Sequence, residues 1–197
     1  MVFPSRLVLA TKNAGKIREI MAICADWPVT WVTGRQATWP DVEETGVSYL
    51  ENARLKAHSV AAALSVPAVA EDSGIEVDAL GGGPGLRSAR FAGPRATDED
   101  NLGLLIERIG NEPPEQRTAR YRCVAVCAWP DGREDSAEGV CEGSLALSRR
   151  GAGGFGYDPI FVPAGRDLTM AELPPEEKNA LSHRGRALRA LRAILAT

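Results

Sequence analysis

The chain of 197 residues carries 23 Lys and Arg against 26 Asp and Glu, a net charge of −3, and 44% of its residues are hydrophobic. A slightly negative chain is a poor general ligand for nucleic acid or a membrane surface, no apolar run is long enough to span a bilayer, and the N-terminus lacks a secretory signal pattern. These features predict one cytoplasmic domain over residues 1–197, large enough for a substantial core.

Residues 6–11 read as a strand, and Ile17, Ile20, Met21 and Cys24 then recur at helical spacing, which predicts a helix over 16–25. Between the two lie Thr11, Lys12, Asn13, Ala14, Gly15 and Lys16. Such a strand–loop–helix junction turns free backbone N–H groups and the positive helix end towards the loop's occupant, which favours an anion. Lys12 and Lys16 add charge there. The loop is not a Walker A motif, because the first glycine and the following Ser or Thr are missing. A plain connection can have the same pattern.

A second short strand at 29–33 precedes an acidic loop at 41–46 that carries Asp41, Glu43 and Glu44. Ser48 and Glu51 match the capping box S-x-x-E and open a helix. Leu50, Ala53, Ala57, Val60, Ala61 and Leu64 mark its buried face. Asn52 and Lys56 lie four apart on a different side and can face one ligand together, although a solvated helix face has the same spacing. His58 reads as a surface or partly packed histidine.

The apolar run 66–70 predicts a buried strand that ends in Glu71 and Asp72, followed by Ser73 and Gly74. Ligands of α/β proteins bind at the carboxyl ends of strands, and carboxylates carried out of an apolar strand need cations or hydrogen bonds to receive them. Oxygen ligands at a strand tip suit Mg²⁺, which usually takes one or two carboxylates plus substrate phosphates. The plain alternative is a solvated strand-to-turn junction.

Thr97 and Asp98 open a further helix carrying Leu102, Leu105, Ile106 and Ile109, and residues 111–117 form a polar loop. Residues 119–129 alternate as a strand, and Pro130, Asp131 and Gly132 signal the turn of a hairpin. Cys123 and Cys127 share one face of that strand. With no CxxC spacing, all four cysteines read as reduced core residues rather than zinc ligands.

Residues 151–159 combine glycines, which let backbone approach a ligand closely, with Phe155 and Tyr157, whose flat faces can stack on a base. Strand resumes at 160–162. The terminal helix has a stripe of Leu188, Leu191, Ile194 and Leu195, and Ser182 reads as its N-cap. His183 and Arg184 then fall in its first turn, where the helix dipole disfavours cations. Either a binding role or exposure to solvent accounts for that placement.

In this order the motifs closely resemble those of the inosine triphosphate pyrophosphatases, which hydrolyse non-canonical purine nucleoside triphosphates. The resemblance runs nearly end to end. It rests on residues 11–16, on Glu44, Thr45 and Gly46, on Glu51 to Ala53 with Lys56 and Ala57, and on residues 71–74. It continues through residues 77–81, Pro84 and Gly85, residues 88–90, 153–159 and 171–173, then Lys178 and Asn179 with residues 182–184.

The resemblance implies an α/β fold: a long mixed β-sheet flanked by helices, in two lobes with a central cleft, usually as a homodimer. It implies Mg²⁺-dependent conversion of dITP, ITP and XTP to the monophosphate and pyrophosphate, which keeps deaminated purines out of nucleic acids. Thr11, Lys12, Asn13, Ala14, Gly15 and Lys16 would hold the triphosphate, with Lys56 and Ser73 also touching substrate. Phe155, Gly156, Tyr157 and Asp158, with Lys178, His183 and Arg184, would lie on the base side. Asp72 would accept the proton, and Glu43, Glu71 and Asp72 would bind metal. Arg87 stands where family members often carry an aromatic. Two other classes fit parts of the pattern. A purine triphosphate sensor would use the lysines and Phe155 but not Asp72, and a pyrophosphatase of the related Maf type would act on pyrimidine or modified nucleotides.

Overall fold

The computed structural model describes residues 3–110 and 112–197; Asn111, the first residue of the expected polar loop, lies outside them. The strands are β1 (Arg6–Leu9), β2 (Thr30–Val32), β3 (Ala68–Val77), β4 (Thr118–Ala128), β5 (Glu134–Leu145) and β6 (Phe161–Pro163). They form one sheet in the order β2-β1-β3-β4-β5-β6. β1 pairs in parallel with β2 and β3, whereas β5 and β6 are antiparallel, so the sheet is mixed as expected. The helices are α1 (Ala14–Ile23), α2 (Tyr49–Leu64), α3 (Asp98–Ile109), α4 (Pro175–Leu181) and α5 (His183–Leu195). No helix among the described residues is long and apolar enough to cross a membrane.

The chain divides into two compact units. The first comprises Met1–Asp72, Cys123–Gly139 and His183–Thr197; the second comprises Ser73–Arg122 and Val140–Ser182. In the first unit, Leu7 and Leu9 of β1, Ile20 and Cys24 near α1, Cys123, Ala125 and Cys127 of β4, and Leu188, Leu191 and Leu195 of α5 share one core. The alternation in β4 that sequence showed is this inward face. All four cysteines are buried free thiols, and burial pushes Cys24 and Cys127 up to about 12.

Local capping sets the helix starts. Asn13 caps α1, its Oδ1 accepting from Lys16 N at 3.0 Å, so the helix begins at Ala14, two residues before the expected start at residue 16. Ser48 caps α2, but the Glu51 carboxylate accepts from Val47 N at 2.8 Å, which makes only half of the expected box. The buried face of α2 is Tyr49, Asn52, Ala53, Ala57, Val60 and Ala61, with Leu50 and Leu64 half-buried. On α5, Ile194 is 38% exposed rather than buried, because it lies at the edge of the stripe set by Leu188, Leu191 and Leu195. The backbone of β5 touches the first turns of this helix: a Cβ on Gly139 would lie 2.1 Å from His183 O and 2.4 Å from Ala187 N.

The second unit has its own core, including Ile75, Val77, Leu102, Leu105, Ile109, Tyr121 and Phe161. Tyr121 and Phe161 pack with ring centroids 4.6 Å apart. Thr97 and Asp100 form a complete capping box on α3. β3 does not end at its carboxylates as expected but continues to Val77. Ile75 and Val77 are fully buried, so the apolar pattern resumes after Gly74, and cations within the fold receive Glu71 and Asp72 without a turn.

Candidate active site

Consecutive residues of a strand point to opposite faces, and Glu71 and Asp72 accordingly meet different partners. Both are buried, at 3% and 6% exposure. Glu71 Oε1 lies 2.9 Å from Lys16 Nζ of α1 and 3.3 Å from Arg184 Nη2 of α5. Its Oε2 accepts from Cys123 Sγ at 3.5 Å. Arg184 also pairs through Nη1 with Glu19 of α1. One carboxylate thus ties β3 to α1, α5 and β4. On the other face, Asp72 Oδ1 lies 2.9 Å from Lys56 Nζ, and Oδ2 accepts from Asn52 Nδ2 at 3.3 Å. Lys56 Nζ is also 2.8 Å from Glu44 Oε1.

These surroundings drive the two acids in opposite directions. Burial opposes ionisation of Glu71, but Lys16, Arg184 and Lys56 outweigh it and hold the carboxyl well below its usual range. Burial also raises Asp72, and here it prevails: Lys56 and Lys16 pull down less, and Glu44 pushes up. The reason is sharing, since one ammonium serves both Asp72 and Glu44. Burial works against the Lys56 charge, yet Asp72, Glu44 and Glu71 together raise its pKa. Environments that push neighbouring titratable groups apart are what separate an acid–base residue from a fixed charge. Asp72 is the basic member of the pair, and Glu71 is a locked anion.

Around this cluster the expected residues distribute unevenly. Lys16, Lys56, Arg184, Glu71 and Asp72 come together. Asn52 and Lys56 do face one group, Asp72. Arg184 is 3% exposed, so solvent exposure does not account for its place in the first helical turn; ion pairing with Glu71 and Glu19 does. His183 is buried beside it. Thr11 Oγ1 accepts from Asn13 N, and Ala14 and Gly15 open α1. Lys12 turns to Asp41 Oδ1, 2.5 Å away. Glu43 is exposed, and its neighbour Glu44 lies 2.8 Å from Lys56 Nζ. Among the described residues no group of three or more His, Cys, Asp or Glu side chains is placed to hold a metal ion. Asp72 and Glu44, by contrast, converge on the single cation of Lys56. Two converging carboxylates, with the remaining ligands from phosphate and water, fit Mg²⁺. Sequence reasoning missed Glu19 and Glu44. Glu44 lay within a quoted motif, and Glu19 stands three residues after Lys16, on the same side of α1.

In the second unit, Ser73 continues β3 and is half-buried. The glycine loop is organised by Asp158, whose Oδ2 accepts from Phe155 N at 2.8 Å and from Lys178 Nζ at 2.6 Å. Lys178 Nζ lies 5.5 Å from the Phe155 ring centroid. Gly156 N donates to Asp98 at 3.0 Å. Tyr157 is no stacking face: it is 4% exposed, and its hydroxyl donates to Ser88 O at 2.7 Å. Gly154 has φ +73°, and a Cβ there would sit 2.1 Å from Asp158 Oδ2 and 2.8 Å from Lys178 Nζ. Gly154→Ala should therefore push Asp158 off Lys178 and strain the backbone, costing about 1–3 kcal/mol. Chemical denaturation measures that loss, and an unchanged midpoint would mean that the loop tolerates a side chain there. Arg87 is exposed, and nothing in its surroundings explains an arginine in place of an aromatic.

A mixed α/β sheet with a capped strand–loop–helix junction, two lysines and oppositely tuned carboxylates defines an α/β protein with a site suited to an anionic ligand. The chain belongs to the Ham1 family, whose model matches residues 7–194. It is 52% identical over 190 residues to a dITP/XTP pyrophosphatase of Streptomyces coelicolor, with 95% of each chain covered. It is 47% identical over 194 residues to one of Methylococcus capsulatus, with 96% of each covered. Among solved structures it is similar to a HAM1 protein from Coxiella burnetii, with TM-score 0.87 and 38% identity over 96% of this chain and 98% of that one. The Staphylococcus aureus Ham1 protein matches with TM-score 0.84 and 40% identity over 96% and 97%.

Proposed function

We propose that the chain is a Mg²⁺-dependent nucleoside triphosphate pyrophosphatase that hydrolyses dITP, ITP and XTP to the monophosphate and pyrophosphate, and so keeps deaminated purines out of nucleic acids. The observation that carries the chemistry is the opposed tuning of adjacent Glu71 and Asp72. A triphosphate carries about four negative charges near neutral pH, so attack at the α-phosphorus needs cations on its oxygens. Lys16 and Lys56 supply them from α1 and α2. Asp72 takes the proton of the attacking water, while Glu71 keeps Lys16 and Arg184 in place. Asp72 and Glu44 would hold Mg²⁺, which would add positive charge on the phosphate oxygens. The family resemblance supports Thr11 to Lys16 as the triphosphate loop and Ser73 as a substrate contact.

The same resemblance gives Phe155, Gly156, Tyr157, Asp158 and Lys178, with His183 and Arg184, to the base side, where the buried Tyr157 would support the loop rather than stack. Donors fixed at the C6 oxygen of hypoxanthine or xanthine would face another donor in adenine, and unpaired buried groups cost about 1–3 kcal/mol each. Reading the whole chain as one pyrophosphatase domain rests on a family match that runs through both units. The resemblance also supports a cytoplasmic homodimer, which sedimentation of the purified chain tests.

Pyrophosphate release measured over a panel of nucleotides with Mg²⁺ tests the activity. Release from dITP and XTP far above dATP is the expected result, and orthophosphate in place of pyrophosphate would contradict the cleavage position. Lys16→Ala should raise KM and lower kcat together, because its charge meets phosphate in the ground and transition states alike. A change in KM alone would confine Lys16 to binding.

A further inference from the structure

The catalytic cluster leaves one face of the phosphate loop unused. On that face a pocket of about 660 Å³ opens between α1 and the residues that follow β2. Ile17 and Met21 of α1 provide an apolar wall, Arg18 and Arg35 provide two cations, and Lys12 adds a third that is already paired with Asp41. Neither Lys16, Lys56, Glu71 nor Asp72 lines it.

Position and charge both point to a ligand. β1 and β2 are adjacent and parallel, and the pocket takes Thr11 and Lys12 from just after one and Thr33 to Gln36 from just after the other. The carboxyl ends of parallel strands are where α/β folds bind ligands, and an arginine near the second strand is a known receiver of ribose phosphate in dinucleotide-binding folds. The volume lies in the range of about 300–1,000 Å³ typical of small-molecule sites. The chain as a whole has net charge −3, so two arginines lining one pocket, beside a Lys12 already held by Asp41, are a local excess of positive charge. Arg18 and Arg35 are exposed, and neither forms an ion pair among the described residues. An anion in the pocket would give both a partner. The apolar wall would gain nothing from bare phosphate and suits a flat ring.

We propose that this pocket is a second ligand site that takes a nucleoside phosphate, its base against Ile17 and Met21 and its phosphate at Arg18 and Arg35. Thr11 and Lys12 belong to the triphosphate loop as well, so the ligand reaches that loop from its other side. A monophosphate, including the reaction product, and a triphosphate share this chemistry.

Calorimetric titration of the full chain with AMP, ATP and inorganic phosphate tests the site, with Arg18→Ala/Arg35→Ala as the variant. Both arginines are exposed, so the variant should fold normally. AMP or ATP should bind, and the double substitution should weaken that binding by about tenfold or more. Hydrolysis of dITP should keep its kcat/KM within about twofold, as for surface changes away from a reacting centre. A preference for AMP or for ATP then identifies the source of the ligand. Nucleotide binding that is the same in the variant would overturn the proposal. Inorganic phosphate binding as tightly as AMP would do so too, since the apolar wall would then be idle. A parallel fall in dITP hydrolysis would assign the pocket to the catalytic phosphate site instead. Because binding is read separately from turnover, a wild-type chain that bound AMP through Arg18 and Arg35 but released no pyrophosphate would count against the pyrophosphatase reading alone.

Discussion

Asp72→Asn should lower kcat by about 10²–10⁴-fold, the usual contribution of a general base, and further where Mg²⁺ is held less tightly, while dITP still binds. The amide keeps the size of the carboxylate but cannot accept the proton of the attacking water. The same substitution should not weaken the fold. Burial raises the Asp72 pKa, so its ionised form is held at a cost near neutral pH, and a neutral side chain removes that cost. Lys56 keeps Glu44 as a partner. Loss of activity with an unchanged or raised melting temperature is the trade expected where a site is tuned for function rather than stability. A variant with a third of wild-type kcat would remove Asp72 from the role of base, and a large drop in melting temperature would show that its charge serves the fold.

Much of the fold was legible because local signals agreed with one another. Alternation in β4, the spacing of leucines along α5 and the caps at Ser48 and Thr97 each place an element with little help from tertiary contacts. The errors fell where long-range contacts decide. β3 reads as ending at Glu71 and Asp72 if the carboxylates need water, and only Lys16, Lys56 and Arg184, drawn from three helices, let the strand continue. Tyr157 resembles Phe155 as a flat ring in a glycine loop, and a hydrogen bond to Ser88 O, 69 residues away, is what commits it to the core. Glu43 and Glu44 are indistinguishable by sequence, because which of two adjacent loop carboxylates reaches Lys56 depends on backbone direction. Arg184 posed a choice between exposure and binding. The partner that resolved it, Glu19, lies 165 residues away.

Glu71→Gln, one residue from Asp72, should behave in the opposite way. Its carboxylate is the common partner of Lys16 and Arg184, and the Arg184 side chain is 3% exposed. Breaking a buried pair by neutralising one member leaves the other charge without compensation, a loss of about 3–5 kcal/mol. For a chain of this size each kcal/mol shifts the melting temperature by about 2–4 °C, so the drop should be roughly 6–20 °C. The pH dependence has a definite sign. The folded pKa of Glu71 is depressed, so its stabilisation is complete above its unfolded value, near 4.5, and is lost as pH falls through the folded value. The gap between wild type and Glu71→Gln should therefore be widest near neutrality and should narrow only in strong acid. Adding Arg184→Met to Glu71→Gln should recover part of the loss, because replacing both members of a buried pair by neutral groups costs less than orphaning one. A single variant that melts within about 2 °C of wild type would mean that Glu19 alone satisfies Arg184, since a shift that small corresponds to less than about 1 kcal/mol. Lys16 would then be held for the phosphate by the Asn13-capped start of α1 rather than by Glu71.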